Sequence, residues 1–215
     1  MPGEPGVLQS HVHVAHRRRF KWRGAAGVVV LGPAAVVAIL ATPLVSQGSW
    51  ANVAINAAAW VTFVAGAGFR FWATLYIGGR KNDVAVADGP YSLCRHPLYL
   101  GSLLLAIATG LFLKSIVFAF ALALLTVVYM QGTVRVEEET LTARLGEPYA
   151  EYCRRVNRYW PSFRHFRTSP RVTVDVHSLY LECARASRWI WLPLAGEVIG
   201  YLREASWWPR LFSVP

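Results

Sequence analysis

The stretch "DGPYSLCRHPLYLG", Asp88–Gly101, sets an arginine and a histidine directly against the uncharged run Leu98–Leu113. A charged group at the bilayer centre costs on the order of 2.5–3.5 kcal/mol, so a segment entering apolar surroundings ordinarily sheds such groups first. Arg95 and His96 are instead held at the threshold, between Pro90 and Pro97. Proline suits the first turn of a helix, where its missing N–H costs nothing. The spacing therefore predicts a helix starting at Pro97, with a polar cluster at its mouth.

Working outward, uncharged runs flank this stretch on both sides. "GAAGVVVLGPAAVVAILATPLV" follows the basic "HRRRFKWR", and Trp50–Phe69 leads into "RFWATLYIGGRK". After Lys114 comes Ser115–Met130, which pairs with Leu98–Leu113 as a tight hairpin, both runs being short against the roughly 20 residues of a full span. Of 215 residues, 54% are hydrophobic and 16% charged, with a mean hydropathy of +0.34. Soluble domains carry nearer a quarter charged residues. The expected fold is all-α: a multi-pass integral membrane protein of about four transmembrane helices plus cytosolic and interfacial helices.

Basic clusters fall before the first run, after the second and after the fourth, while the other links carry almost none. By the positive-inside rule, both termini and the Asp88–Gly101 stretch are expected on the cytosolic side, in a bacterial inner membrane or a eukaryotic endomembrane. The net charge of +10 then fits contacts with anionic membrane lipids. No base-reading motif accompanies it, so no nucleic-acid partner is expected. Cys94, Cys153 and Cys183 are odd in number and lack metal-type spacing. His11, His13 and His16 fall in a polar tail where no cysteine or carboxylate completes a site, so no metal is expected. The amino-terminal residues have no apolar core of the kind a cleavable signal peptide requires.

Three polar clusters are candidates for chemistry. Arg95, His96 and Tyr99 open the third run; Glu137, Glu138 and Glu139 follow the fourth; Tyr149, Tyr152, Arg158 and Tyr159 come next. A hairpin brings the first two to one end. Arg135 can pair with Glu138 and Glu139 at i,i+3 and i,i+4 along a helix that leaves the membrane, until Gly146 and Pro148 interrupt it. Singly, each cluster has a plain reading as a lipid-phosphate anchor, a solvated helix face or interfacial tyrosines. The chain divides into a flexible basic tail (1–23), a core (24–161) with site motifs at 89–101 and 135–161, and a carboxy-terminal segment (162–215). In the last, "SRWIWLPLAGEVIGYLREASWWPRLF" is Trp-rich and broken by Pro193, Glu197 and Arg203. It is expected to lie at the interface near the pocket and shape acceptor access.

In this order, "GPYSLCRHPLYLG" and "VEEETLTARLGEPYAEYCRRVNRYWP" resemble the isoprenylcysteine carboxyl methyltransferase and phospholipid methyltransferase superfamily of membrane enzymes. The matching residues are Gly89, Pro90, Tyr91, Arg95, His96, Pro97, Tyr99 and Gly101, then Glu137, Glu138, Leu141, Gly146, Tyr149, Tyr152, Arg158 and Pro161. Asn157 stands where many members have proline before the arginine. The resemblance implies S-adenosylmethionine as methyl donor, held without a dinucleotide-type GxGxxG unit, of which the chain has none. It implies donor contacts from Tyr91, His96, Pro97, Tyr99, Leu100, Glu137 and Glu138, and catalytic roles for Arg95, Glu138 and Arg158. Adjacent helical residues point about 100° apart, so one of Glu137 and Glu138 faces the donor. The implied acceptor is lipophilic or lipidated: an isoprenylcysteine-type carboxylate, a phospholipid amine, or a small lipophilic thiol or acid. Two rivals remain, a membrane reductase related to sterol reductases and a non-catalytic membrane adaptor. The sequence gives no oligomeric state.

Overall fold

Proline and glycine set the helix boundaries around the decisive stretch. A computed structural model describes residues 29, 31–41, 45, 46, 48–79, 84–209 and 211. The basic tail, its three histidines and the "HRRRFKWR" cluster lie outside the described residues. The helices are α1 (Leu31–Leu40), α2 (Trp50–Ile77), α3 (Pro90–Leu93), α4 (Pro97–Leu113), α5 (Ile116–Leu145), α6 (Glu147–Arg155), α7 (Val176–Trp189) and α8 (Trp191–Glu204), with a 3-10 turn at Phe163–His165. Among the described residues there is no strand. Pro97 is the first residue of α4, as expected, and His96 precedes it as the cap residue.

Two helices, α2 with 28 residues and α5 with 30, are long and apolar enough to cross a membrane. The described part of α1 and the 17-residue α4 are shorter, so among the described residues two of the expected four spans have the length to cross. The fourth run was also expected to be short. It is instead the start of one continuous helix, because Ser115 caps its first turn at Phe118 N and good helix formers carry it on to Gly146. Thirty residues make about 45 Å, enough to hold Glu137 and Glu138 well beyond the apolar part.

Helix α4 is the centre of the bundle. It crosses α2 where Gly66 meets Gly101: a Cβ on Gly101 would lie 2.5 Å from Arg70 Cγ and 2.8 Å from the Gly66 carbonyl oxygen. Such small-residue crossings let backbones approach closely when lipid supplies no hydrophobic drive. Below the crossing, Ala59, Phe63, Leu105, Ala108 and Phe112 form a buried cluster, with Trp60 edge-on to Phe112 at 5.3 Å.

The carboxy-terminal segment is not confined to the surface beside the site. Asp175 caps α7 against Gly78 and Gly79 at the site end of α2. Glu182 then meets Arg70, Trp189 packs on the central cluster, and Gly196 of α8 sits against the Phe112 backbone. Finally Arg203, 2% exposed, donates from Nε to the Ala41 carbonyl (3.2 Å) and from Nη1 to the Leu113 carbonyl (2.8 Å). These are chain-end carbonyls of α1 and α4, at the end of the bundle remote from His96. Terminal carbonyls need partners, and a buried arginine supplies them. Residues at that end therefore do not share the face of the site. Pro193 breaks no crossing, because it falls in the first turn of α8.

Candidate functional site

The hairpin of α4 and α5 brings the predicted clusters together at one end. Glu138, buried on α5, is their hub. Its Oε1 accepts from Arg95 Nη1 (2.9 Å), from His96 Nε2 (3.0 Å) and from Arg158 Nε (3.2 Å), and its Oε2 accepts from Arg158 Nη2. Arg135, expected to pair with Glu138, takes no part in these bonds. One carboxylate thus anchors the base of α4 and the loop after α6. An ionised carboxylate only accepts, so the neutral imidazole donates from Nε2.

Backbone bonds fix that loop. Arg95 N donates to the Asn157 carbonyl (2.8 Å), Ser162 N to the Leu93 carbonyl (3.0 Å), and Gly89 N to the Arg167 carbonyl (2.8 Å). The departure at Asn157 is accommodated, since its carbonyl serves Arg95 and the next residue reaches Glu138. Tyr152 of α6 donates to the Tyr91 carbonyl (2.8 Å) and packs with Tyr149 and Val156.

Electrostatics follow from burial. Burial pushes the His96 imidazole below its ordinary value, and the hydrogen bond and charge of Glu138, with that of Glu137, offset this only in part. Burial pushes the Cys94 thiol up to about 11, a backbone bond from His96 working the other way. Cys94 is fully buried and stays a protonated thiol, not a nucleophile. Burial likewise raises the Tyr91 phenol well above its usual range. The hydrogen bond to Glu138 raises Arg158.

A cavity of about 430 Å³ opens beside this hub, within the range of small-ligand sites. Tyr91, Arg95, His96, Pro97, Tyr99 and Glu137 line it; Leu100, Glu138 and Arg158 do not. Glu137 is therefore the cavity-facing member of the pair, and it accepts from Tyr99 Oη (3.1 Å). Two buried donors, Tyr91 Oη and Arg95 Nε, have no hydrogen-bond partner among the described residues. Tyr149 and Tyr152 line the cavity too, as do four polar residues that sequence reasoning passed over: Arg70, Ser102, Tyr129 and Arg185. Arg70 is locked by Glu182 Oε1 (2.7 Å) and Oε2 (3.1 Å), by Ser102 Oγ (2.6 Å), and by the Trp189 ring 4.8 Å from its Cζ. An arginine within an apolar helix is itself a functional signal, and it was the one available for Arg70.

Comparison with known proteins identifies the family. Residues 40–147 match the phospholipid methyltransferase family, a range that takes in α2 to α5 and ends before Arg158. The chain is 35% identical over 136 residues to cobalt-zinc-cadmium resistance protein CzcN of Cupriavidus metallidurans, covering 63% of this chain and 62% of that protein. It is 31% identical over 146 residues to nickel-cobalt-cadmium resistance protein NccN of Alcaligenes xylosoxydans xylosoxydans, covering 68% of each. The chain thus spans about two thirds of the length of these relatives. No solved structure matches.

Proposed function

The chain belongs to the phospholipid methyltransferase family, and from that premise we propose that it is an S-adenosylmethionine-dependent membrane methyltransferase acting on a lipophilic acceptor. The observation that carries the reading is the cavity at the α4–α5 mouth, with a carboxylate at one place and unpartnered buried donors at another. S-adenosylmethionine bears an ammonium, a carboxylate and ribose hydroxyls, and supplies an electrophilic methyl group on a sulfonium. Glu137 suits the ammonium or the hydroxyls. Tyr91 Oη and Arg95 Nε suit the carboxylate through charge-assisted bonds.

Glu138 acts one step back. It fixes Arg95, His96 and Arg158 and so keeps the cavity wall in register, which makes it a positioning residue. His96, neutral and donating to Glu138, closes the wall without adding a charge. In-line methyl transfer asks the protein mainly for alignment and for a preorganised, water-poor surround. The buried Tyr91 and the apolar side chain of Pro97 contribute the latter. The names of the two relatives describe metal resistance and give no acceptor.

Calorimetric titration of S-adenosylmethionine into the detergent-solubilised protein tests the proposal. Saturable binding is expected, weakened at least tenfold in Glu137→Gln and in Tyr91→Phe while both keep the wild-type thermal midpoint. A folded wild type that binds no donor in detergent or in lipid nanodiscs would overturn it.

A further inference from the structure

A second cavity, of about 710 Å³, lies between α4, α5 and α7 and has no part in the donor reading. Its walls are aliphatic and aromatic, with Leu105, Phe118 and Leu122 among them. The hydroxyls of Thr109 and Thr126 turn back onto their own helices, at the Leu105 carbonyl (2.8 Å) and the Leu122 carbonyl (2.7 Å), so they leave the wall apolar. From Tyr129 to Phe118 it follows α5 for about 16 Å, the reach of an extended alkyl chain. Arg70, Ser102, Tyr129 and Arg185 line this cavity and the first one alike, so the two meet at a shared wall.

Charge is concentrated on one side. Arg70, Arg185 and Arg188 all line the cavity, and the carboxylate beside them is Glu182, which accepts from both Arg70 and Arg185. Three guanidiniums against one carboxylate leave two positive charges in excess. Arg188 has no ion-pair partner among the described residues. It is an exposed residue at the cavity wall, so its guanidinium is open to a ligand. An ammonium head group would meet repulsion here, whereas an anionic oxygen would complete the set.

We propose that this cavity binds an anionic amphiphile, with its alkyl chain along α5 and its carboxylate or phosphate against Arg188 and Arg185. The binding stands on the cavity alone. That the occupant is the methyl acceptor rests on the methyltransferase reading, and it favours an acid over an amine as acceptor. The arginines lie on α7, beyond the family-matched residues 40–147, so this selectivity belongs to the chain's own carboxy-terminal segment.

Brominated probes of equal chain length carrying a carboxylate, a phosphate, an alcohol or an amine test this, with quenching of Trp189 read as the difference between wild type and Trp189→Phe. The acid or the phosphate is expected to half-saturate at a concentration at least tenfold below the alcohol and the amine. Whichever anion binds better identifies the head group. In Arg188→Gln, checked by its thermal midpoint, that preference falls to threefold or less. Equal quenching by all four probes, a preference for the amine, or an unchanged preference in Arg188→Gln would each overturn the proposal. Donor titration of the same samples separates the two readings: donor binding without head-group preference removes this proposal alone, and preference without donor binding removes the donor reading alone.

Discussion

Replacing Glu182 by glutamine asks whether α7 belongs to the core. The residue is 0% exposed and accepts from Arg70 Nε (2.7 Å), Arg70 Nη2 (3.1 Å) and Arg185 Nη1 (2.8 Å). Glutamine keeps the volume but removes the charge and one acceptor oxygen. The Arg185 side chain is 47% exposed and can turn to water, so its share is at most about 0.5 kcal/mol. The Arg70 side chain is 15% exposed and is held by Ser102, so it stays put as an uncompensated charge. Breaking such a buried pair costs about 3–5 kcal/mol, roughly two to four orders of magnitude in the folding equilibrium. Unfolding in mixed micelles, followed by tryptophan fluorescence, measures the loss. The double variant Arg70→Met, Glu182→Met removes both charges and is expected to recover most of it. A Glu182→Gln loss under about 1 kcal/mol, or a double variant no better than the single one, would refute the argument.

Two more predictions follow from the site end of the bundle. Gly101→Ala would place a methyl group 2.5 Å from Arg70 Cγ and 2.8 Å from a backbone oxygen. Overpacking of about 1–3 kcal/mol should lower the thermal midpoint, while Gly68→Ala, with nothing within 4 Å, should not; equal midpoints would argue against the tight crossing. His96 has its folded pKa depressed below the usual value of about 6.5, so on acidification the unfolded chain binds a proton that the folded cluster resists. Its contribution to stability is full above about pH 6.5 and is lost as pH falls through the folded value. Thermal midpoints between pH 7 and 5 should therefore fall in wild type and flatten in His96→Asn; a wild-type midpoint that rises on acidification would show the opposite linkage.

What the sequence made legible was local. Pro97 fixes where α4 begins, the hairpin length returns α5 to the same end, and so Arg95, His96 and the glutamates meet. Arg158 joins them as expected, because the loop after α6 is short. The helical angle also implied that Glu137 and Glu138 face differently, but not which faces inward, since that depends on how α5 rotates about the Gly110 contact with Ala119. The Arg70–Glu182 pair spans 112 positions and leaves no periodic trace. The tail misled through its composition. Pro193, Glu197 and Arg203 read as reasons to stay at the surface, yet helix-end carbonyls at Ala41 and Leu113 give Arg203 a buried place no local pattern announces.

The unbroken length of α5 makes it a lever. Its near end is pinned by the tight turn at Lys114 and Ser115, and Glu138 lies about 33 Å along it. Tilting the rod by about 5° moves the glutamate by about 3 Å, the length of one hydrogen bond to Arg95 or His96. A long apolar helix accommodates a thinner bilayer by tilting. Were α5 to cross a bilayer, as its length and composition allow, the ion-pair hub would be coupled to membrane thickness, and the acyl-chain length of the surrounding lipid would become a physical setting of the site's geometry.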